Sequence, residues 1–197
     1  PEVDSTPAKE IRPIAPDRQK HINSIKKQVK AGRPEDNIKL LVTERANYKG
    51  TDFEPEVEYM LAQEYTKVQK HSDAGLAYLR AARSSVKEET RFKLCQLAGK
   101  SFQQGQDWDR LKKGMDYCVA HFDLQANNAQ QIKAIKLQAL EASGSNTLEI
   151  AKSYVELTST STGEAESKNR AKILAFISIC SKRKIKSKRK PTAEKIK

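Results

Sequence analysis

Cysteine, glycine, proline and aromatic residues are all scarce in this chain. Its 197 residues include 3 Cys, 8 Gly and 7 Pro, and aromatic residues make up 6%. This composition argues against collagen-like or fully disordered classes and favours a helical protein with a modest core. An odd, sparse set of cysteines without CxxC spacing argues against a disulfide framework and for a reducing compartment. We therefore expect a cytoplasmic or nuclear protein.

Long apolar runs and catalytic motifs are also missing. The longest apolar stretch, residues 173–180, covers eight residues and is too short to span a bilayer. No signal-peptide pattern opens the chain, and the histidines are scattered at His21, His71 and His121. The sequence contains no GxSxG, HExxH or phosphate-binding glycine loop. We expect no enzymatic activity, no catalytic residue and no cofactor.

One pair of residues has the spacing of metal ligands. Cys118 and His121 are three residues apart, so they share a helix side, and Cys95 could approach from the neighbouring helix. A structural zinc needs four ligands, and this set still lacks one. The sequence therefore predicts no metal site and favours small core cysteines instead.

Positive charge is concentrated at one end. Residues 182–197 carry nine Lys or Arg against Glu194, a net charge of +8, whereas the whole chain is +12. The cations of this basic tail that lie closest together are Lys182, Arg183, Lys184, Lys186, Lys188, Arg189 and Lys190.

The basic tail has several interpretations that the sequence leaves open. It could be a nuclear-import signal, a contact for a nucleic-acid backbone or an attraction to acidic lipid. It could also be a solvated continuation of the last helix. Without accompanying aromatic residues, base stacking is not expected, so any nucleic-acid binding should be non-specific.

Apolar periodicity predicts helices throughout the middle of the chain. Residues 1–16 hold four of the seven prolines and read as a disordered leader, and residues 17–180 read as one helical domain, followed by the basic tail at 181–197. A ninth and last helix is expected at residues 164–180. Turns are expected at residues 48–52 and 71–73, and the fifth helix is expected to end at Gly105, with Asp107 capping the sixth. The other helices that show an inward side should bury Ile22, Ile25 and Val29; Ile38, Leu41 and Val42; Leu61, Ala62 and Tyr65; Ala74, Ala77, Tyr78 and Ala81; Leu111, Met115 and Cys118; Ile132, Ile135 and Ala139; and Ile150, Ala151, Tyr154 and Leu157.

The helices recur as pairs. Aligned positions at Ile38, Ala74, Leu111 and Ala151 are separated by 36, 37 and 40 residues. Near-constant periods of this size are typical of stacked helix pairs. The expected fold is therefore all-α, a right-handed α-solenoid of about four helix-turn-helix repeats plus a C-terminal helix.

Two stretches carry a recognisable repeat motif. Leu61-Ala62-x-x-Tyr65, followed by Ala74-x-x-x-Tyr78-x-x-Ala81, resembles a tetratricopeptide repeat. A weaker copy follows, with Ala98-Gly99-x-x-Phe102 and then Leu111, Met115 and Cys118. The period of 36 to 40 residues is longer than that of a usual tetratricopeptide repeat. In this it resembles the repeats in the solenoids of the soluble NSF-attachment proteins, which are vesicle-fusion adaptors. The resemblance covers about residues 17–160.

The resemblance implies a non-catalytic scaffold or complex subunit that binds a peptide or a partner helix. In this family the first helix of each pair lines the groove. The corresponding residues here are Tyr59, Gln63, Thr66, Gln96, Lys100 and Gln103. Only Lys100 is cationic, so a clamp for C-terminal carboxylates is poorly supported. The composition suits an extended or helical peptide held by amide hydrogen bonds and an aromatic contact.

Two rival functions remain. The chain could be a subunit of an RNA or DNA complex in which the tail supplies affinity, or a vesicle-trafficking adaptor. In either case the partner would be one or more proteins, with nucleic acid or an acidic surface as an additional partner through the tail.

Overall fold

The protein is all-helical wherever the computed structural model describes it, which is at residues 16–158 and at Ala171, Leu174 and Ala175. No strand occurs among these residues. The helices are α1 Pro16–Ala31, α2 Pro34–Tyr48, α3 Glu54–Lys67, α4 His71–Ser84, α5 Glu88–Gln104, α6 Trp108–His121, α7 Ala126–Ala142 and α8 Thr147–Thr158. No helix in this part of the chain is both long and apolar enough to cross a membrane.

The helices belong to two compact units with a boundary between Gln125 and Ala126. In the first unit, each of the helices α1 to α6 packs against the next one along the chain. In the second unit, α7 packs against α8. The prediction of a single domain over residues 17–180, with a leader before it and a tail after it, stays a prediction.

Prolines and short polar caps determine where several helices begin. Pro34 and Pro55 lie in the first turns of α2 and α3, where a missing backbone N–H leaves no hydrogen bond unmade. The Asp107 side chain accepts a hydrogen bond from the backbone N–H of Arg110 and so caps α6. At the start of α8, the Asn146 side chain accepts from the backbone N–H of Leu148 at 2.9 Å.

One turn geometry recurs along the chain. After α3, α5 and α7 a single residue has a positive φ: Gln69 at 59°, Gln106 at 53° and Gly144 at 65°. The following N–H in each turn reaches back five residues, at 2.9, 2.9 and 3.1 Å. This pattern satisfies the last carbonyls of each helix and reverses the chain sharply. The first two turns are 37 residues apart and the next follows after 38.

Buried positions recur with the same spacing. Three sets of residues at intervals of 37 are at most 9% exposed: Asn37, Ala74 and Leu111; Leu41, Tyr78 and Met115; Tyr48, Ser85 and Phe122. The sequence alignment placed Ile38 opposite Ala74, but Asn37 is the buried residue and Ile38 is half-buried. The first interval is thus 37 residues, not 36.

The predicted inward residues are mostly buried, with a few exceptions. Val42 was expected inside but is 42% exposed. Tyr48 was expected in a turn, yet it ends α2 as a buried residue whose hydroxyl lies 2.8 Å from Nδ1 of His21. A turn was also expected at residues 71–73, whereas α4 already begins at His71. The real turn is shorter because a left-handed residue, Gln69, reverses the chain.

The second unit has a small core of its own. Leu137 and Leu140 on α7 pack with Ile150, Tyr154 and Leu157 on α8. Burial, together with the nearby Glu141 carboxylate that accepts its hydrogen bond, raises the pKa of Tyr154. The predicted ninth helix, residues 164–180, lies largely outside the described residues. The three of its residues that are described, Ala171, Leu174 and Ala175, are helical.

Candidate partner-binding surface

Three of the predicted groove residues lie along one side of α3. Tyr59 is 38% exposed, and its ring centroid is 5.8 Å from that of Tyr78 on α4. Gln63 is exposed, one helical turn further along. The Thr66 hydroxyl is half-buried and donates a hydrogen bond to the Ala62 carbonyl at 2.9 Å. This side of α3 therefore offers solvent an aromatic ring and an amide, next to α4.

The other three predicted groove residues occupy the equivalent side of α5. Lys100 and Gln103 are exposed and Gln96 is half-buried. Each lies 37 residues after its counterpart on α3. Helix α4 packs against both α3 and α5. That the two sets line one groove stays a prediction.

Helix α5, which carries the second set of predicted groove residues, packs closely against its neighbours around Phe102. The Phe102 ring is fully buried between α4 and α6. A Cβ at Gly75 on α4 would lie 2.5 Å from this ring, and a Cβ at Gly114 on α6 would lie 3.4 Å from it. Two glycines thus make room for one large aromatic side chain.

A buried carboxylate on α3 is held by arginines from both neighbouring helices. Glu58 is 2% exposed. Nε of Arg80, on α4, donates to both carboxylate oxygens at 2.9 Å. Nε of Arg45, on α2, lies 3.8 Å from Oε1 of the same carboxylate. We refer to Arg45, Glu58 and Arg80 as the arginine pair and its carboxylate.

Tyr65 lies on the same side of α3 as Glu58, two helical turns further along the helix. Burial raises the pKa of Tyr65, and the negative charge of Asp73 raises it further. The positive charges of Arg80 and Arg45 oppose this effect. The hydroxyl therefore stays protonated and can donate a hydrogen bond at neutral pH.

A second buried carboxylate links α3 to α2. Glu64 is 2% exposed and accepts a hydrogen bond from Nδ2 of Asn37 at 3.0 Å. Lys67 donates to its other oxygen. Asn37 also donates to the Val29 carbonyl at 2.8 Å, so one amide ties α1, α2 and α3 together. Each charge taken from water is matched by a partner, as burial requires.

Sequence reasoning missed both buried glutamates, because an acidic residue on a helix is normally exposed. A signal for Glu58 did exist. Arg45 and Arg80 lie one helical turn from the inward residues Leu41 and Ala77, on the two helices adjacent to α3 in sequence. Basic residues beside the apolar side of two such helices indicate a buried acid between them.

Cys95 on α5 and Cys118 on α6 form a disulfide bond, with 6.4 Å between their Cα atoms. The expectation that these cysteines are unpaired core residues is wrong. The odd number of cysteines misled because Cys95 and Cys118 occupy facing positions of consecutive helices, which the count of cysteines does not reveal. The inference of a reducing compartment, which rested on unpaired cysteines, loses this support.

The disulfide also removes Cys118 from the set of metal ligands considered above. His121 stacks on Tyr117 with ring centroids 4.3 Å apart, and its Nδ1 lies 3.2 Å from the Tyr117 carbonyl oxygen. Among the described residues, no three His, Cys, Asp or Glu side chains come together as a metal site would require.

Asp107 joins the beginning of α6 to the beginning of α4. Its carboxylate accepts hydrogen bonds from the Ser72 hydroxyl at 2.8 Å and from Nη1 of Arg110 at 2.9 Å. Burial alone would raise the pKa of Asp107, but the bonds from Ser72 and Arg110 hold it below its usual value. This contact fixes helices that are not consecutive in the chain.

The basic tail, including Lys182, Arg183, Lys184, Lys186, Lys188, Arg189 and Lys190, lies outside the described residues, as does the leader up to residue 15. Comparison of the chain with known protein families, with curated proteins and with solved structures gives no match.

Proposed function

We propose that this chain is a non-catalytic protein-interaction scaffold, built as a right-handed solenoid of tetratricopeptide-like helix pairs. The observation that supports this most directly is the recurrence at 37 residues. The same left-handed turn follows α3 and α5, and buried positions repeat at that interval. Stacked helix pairs with a constant period provide extended surfaces for binding other proteins.

The binding surface in this proposal consists of the α3 set Tyr59, Gln63 and Thr66 and the equivalent α5 set Gln96, Lys100 and Gln103. Its chemistry is one exposed aromatic ring, several amides and a single cation. Tyrosine is enriched where proteins bind each other, because its ring buries a large area while the hydroxyl keeps a hydrogen bond. Such a surface suits an extended or helical peptide.

Site-specific photo-crosslinking tests the proposal. A photoreactive phenylalanine analogue is placed singly at Gln63 and at Lys100, which are exposed on the two proposed helices. Matched control positions are Arg83 on α4 and Lys113 on α6, which are also exposed. We expect the same protein to be captured from Gln63 and Lys100 but not from the two controls. Capture from all four positions, or from none, contradicts the proposal.

A substitution then tests the aromatic contact. Tyr59→Ala should reduce the crosslinking yield at Gln63 about tenfold, as expected for loss of an interface aromatic. Gln69→Ala, on the turn after α3, is exposed and serves as the control for a nearby substitution outside the surface. Circular dichroism of both variants should show unchanged helix content, which separates loss of binding from loss of fold.

The rival functions keep their basis in the sequence. A role in binding nucleic acid rests on the basic residues 182–197. A role in vesicle trafficking rests on the length of the repeat. We propose a cytoplasmic or nuclear location. Cytosolic thiols are normally kept reduced, so this location requires that the Cys95–Cys118 bond persists or re-forms there.

A further inference from the structure

The arginine pair carries more positive charge than its carboxylate neutralises. Arg45 and Arg80 contribute two positive charges and Glu58 one negative charge. The carboxylate is 2% exposed, whereas the side chains of Arg45 and Arg80 are 43% and 38% exposed. The negative charge is therefore buried beneath two guanidinium groups that reach solvent. An anion in solution meets the positive charges first.

The two guanidinium groups also keep most of their hydrogen-bond donors. Arg80 contacts Glu58 through Nε, which leaves its two Nη groups outside that bond. At 3.8 Å, Arg45 forms an ion pair with Glu58 but no hydrogen bond. Within the described residues, no protein acceptor takes the Nη hydrogens of either arginine. The planar Nη forks are the groups that bind carboxylate and phosphate in a bidentate way.

The surroundings hold these donors in place. Arg45 comes from α2 and Arg80 from α4; Arg80 is hydrogen-bonded to a carboxylate on the helix between them, and Arg45 forms an ion pair with the same carboxylate. Asp73 opposes an anion electrostatically, but it lies seven residues before Arg80, about 10 Å along α4. Donors that are fixed before binding lose less conformational entropy when a ligand arrives.

We propose that Arg45 and Arg80 form a binding site for an oxyanion carried by a protein partner. The anion is the carboxylate of an acidic side chain or the phosphoryl group of a phosphorylated one, since both present the same oxygens to a guanidinium fork. Glu58 acts as a positioning residue that orients Arg80. The inference rests on the proposed function, because it assigns part of the affinity for the partner to this site.

The site is separate from the proposed peptide surface. Glu58 and Tyr65 lie on one side of α3, and Tyr59, Gln63 and Thr66 lie roughly 100° further around the same helix. A partner could therefore occupy both surfaces or only one. For this reason, the failure of the oxyanion site and the failure of the peptide surface give different experimental results.

The test uses the wild-type chain, so it does not depend on any variant folding. The Nε–Hε signals of the arginines are followed by NMR while an acetylated peptide with two central glutamates, or the same peptide with one phosphoserine, is added. A glutamine version of the peptide is the neutral control. We expect saturable shifts at Arg45 and Arg80 with one or both acidic peptides, and none with the neutral one. The phosphoserine and glutamate arms distinguish the two sources of the anion.

Arg83 provides the internal control for simple charge attraction, because it is exposed and lies on α4 one turn from Arg80. Equal shifts at Arg83, or no saturable shift at Arg45 and Arg80, overturn the proposal. Arg45→Gln should weaken binding of the acidic peptide about tenfold, and Arg83→Gln should leave it unchanged. If Arg45→Gln unfolds, Arg45→Lys keeps the charge but loses the planar fork and should still weaken binding severalfold.

The proposed function is judged independently. If crosslinking at Gln63 and Lys100 captures a protein while the arginine signals do not move, the scaffold stands and the oxyanion site is wrong. If the acidic peptide binds at Arg45 and Arg80 but nothing is captured from Gln63 or Lys100, the oxyanion site stands and the groove is wrong.

Discussion

The helix pairs α3–α4 and α5–α6 share a turn and a period but are closed by different chemistry. Glu58 on α3 and Cys95 on α5 are 37 residues apart, and both are buried. Glu58 binds Arg80 on the second helix of its pair, and Cys95 is bonded to Cys118 on the second helix of its own. One repeat position thus carries an ion pair in the first case and a covalent bond in the second.

In both helix pairs this position is joined to the second helix, by an ion pair in one and by a disulfide in the other. A buried ion pair contributes little net stability over a well-packed apolar pair, yet removing one partner costs several kcal/mol. A disulfide acts mainly by restricting the unfolded chain. The two pairs should therefore differ in their response to a reductant and to the loss of an arginine.

Reducing the disulfide should cause the largest loss of stability, and it should act only on the α5–α6 pair. The Cys95–Cys118 bond closes a loop over 23 residues, and losing it should lower the free energy of unfolding by about 3 kcal/mol. Urea unfolding with and without dithiothreitol measures this. The double variant Cys95→Ala, Cys118→Ala should be less stable than the oxidised chain and indifferent to the reductant.

Counting thiols shows directly whether the bond forms in solution. Alkylation of the unfolded but unreduced protein should label only Cys180, and all three cysteines should react after reduction. Mass spectrometry of the intact chain reads the number of labels. Labelling of Cys95 and Cys118 before reduction would mean that the original expectation of free cysteines was correct.

The second-largest loss of stability should come from removing Arg80, which acts on the α3–α4 pair. Arg80→Met leaves the buried Glu58 with only the longer contact to Arg45, and we expect a loss of about 2 kcal/mol in unfolding free energy. Arg83→Met removes an exposed arginine from the same helix and should change stability by less than about 0.5 kcal/mol. Both variants are compared by urea unfolding. Equal effects would show that Glu58 does not depend on Arg80.

Much of this architecture was predictable because it follows from apolar periodicity. The inward sets of α4 and α6, the break at Gly105 and the cap at Asp107 all depend on local chemistry that the sequence displays. The prediction of an all-α protein was correct for the same reason. The start of α4 was placed three residues too late because Gln69 adopts a left-handed conformation for which glycine or asparagine is the usual sequence signal.

The joints between helices were not predictable in the same way. Glu58 looks like an ordinary surface residue until the helices that carry Arg45 and Arg80 are placed beside it. Cys95 and Cys118 form a pair only because consecutive antiparallel helices bring them face to face. Both features depend on the rotation of one helix against another, which a one-dimensional pattern determines only to within a residue or two.

The contact that joins the two compared pairs can also be tested. Gly75→Ala places a Cβ 2.5 Å from the Phe102 ring. Overpacking outweighs the better helix propensity of alanine, so we expect a net loss of roughly 1 to 2 kcal/mol. Phe102→Leu frees space at the same point, so the double variant should be less destabilised than the sum of the two single changes. Additive losses would contradict the close contact between Gly75 and Phe102.

The smallest effect concerns Asp107, which links α4 to α6 and so couples the two pairs. Because its folded-state pKa is lowered, ionised Asp107 stabilises the fold above the unfolded pKa of about 4, and this contribution disappears as the pH falls through the folded value. Asp107→Asn keeps the cap but loses the charge, and it should cost about 1 kcal/mol at pH 7, since the partly exposed carboxylate is screened by solvent. Urea unfolding from pH 7 to pH 2 should show the two proteins converging below about pH 4.

Ser72→Ala removes one of the hydrogen bonds that lower the pKa of Asp107, so the stability lost through this substitution should shrink over the same pH interval. A difference that stays constant with pH would show that the Asp107 charge contributes nothing to the coupling.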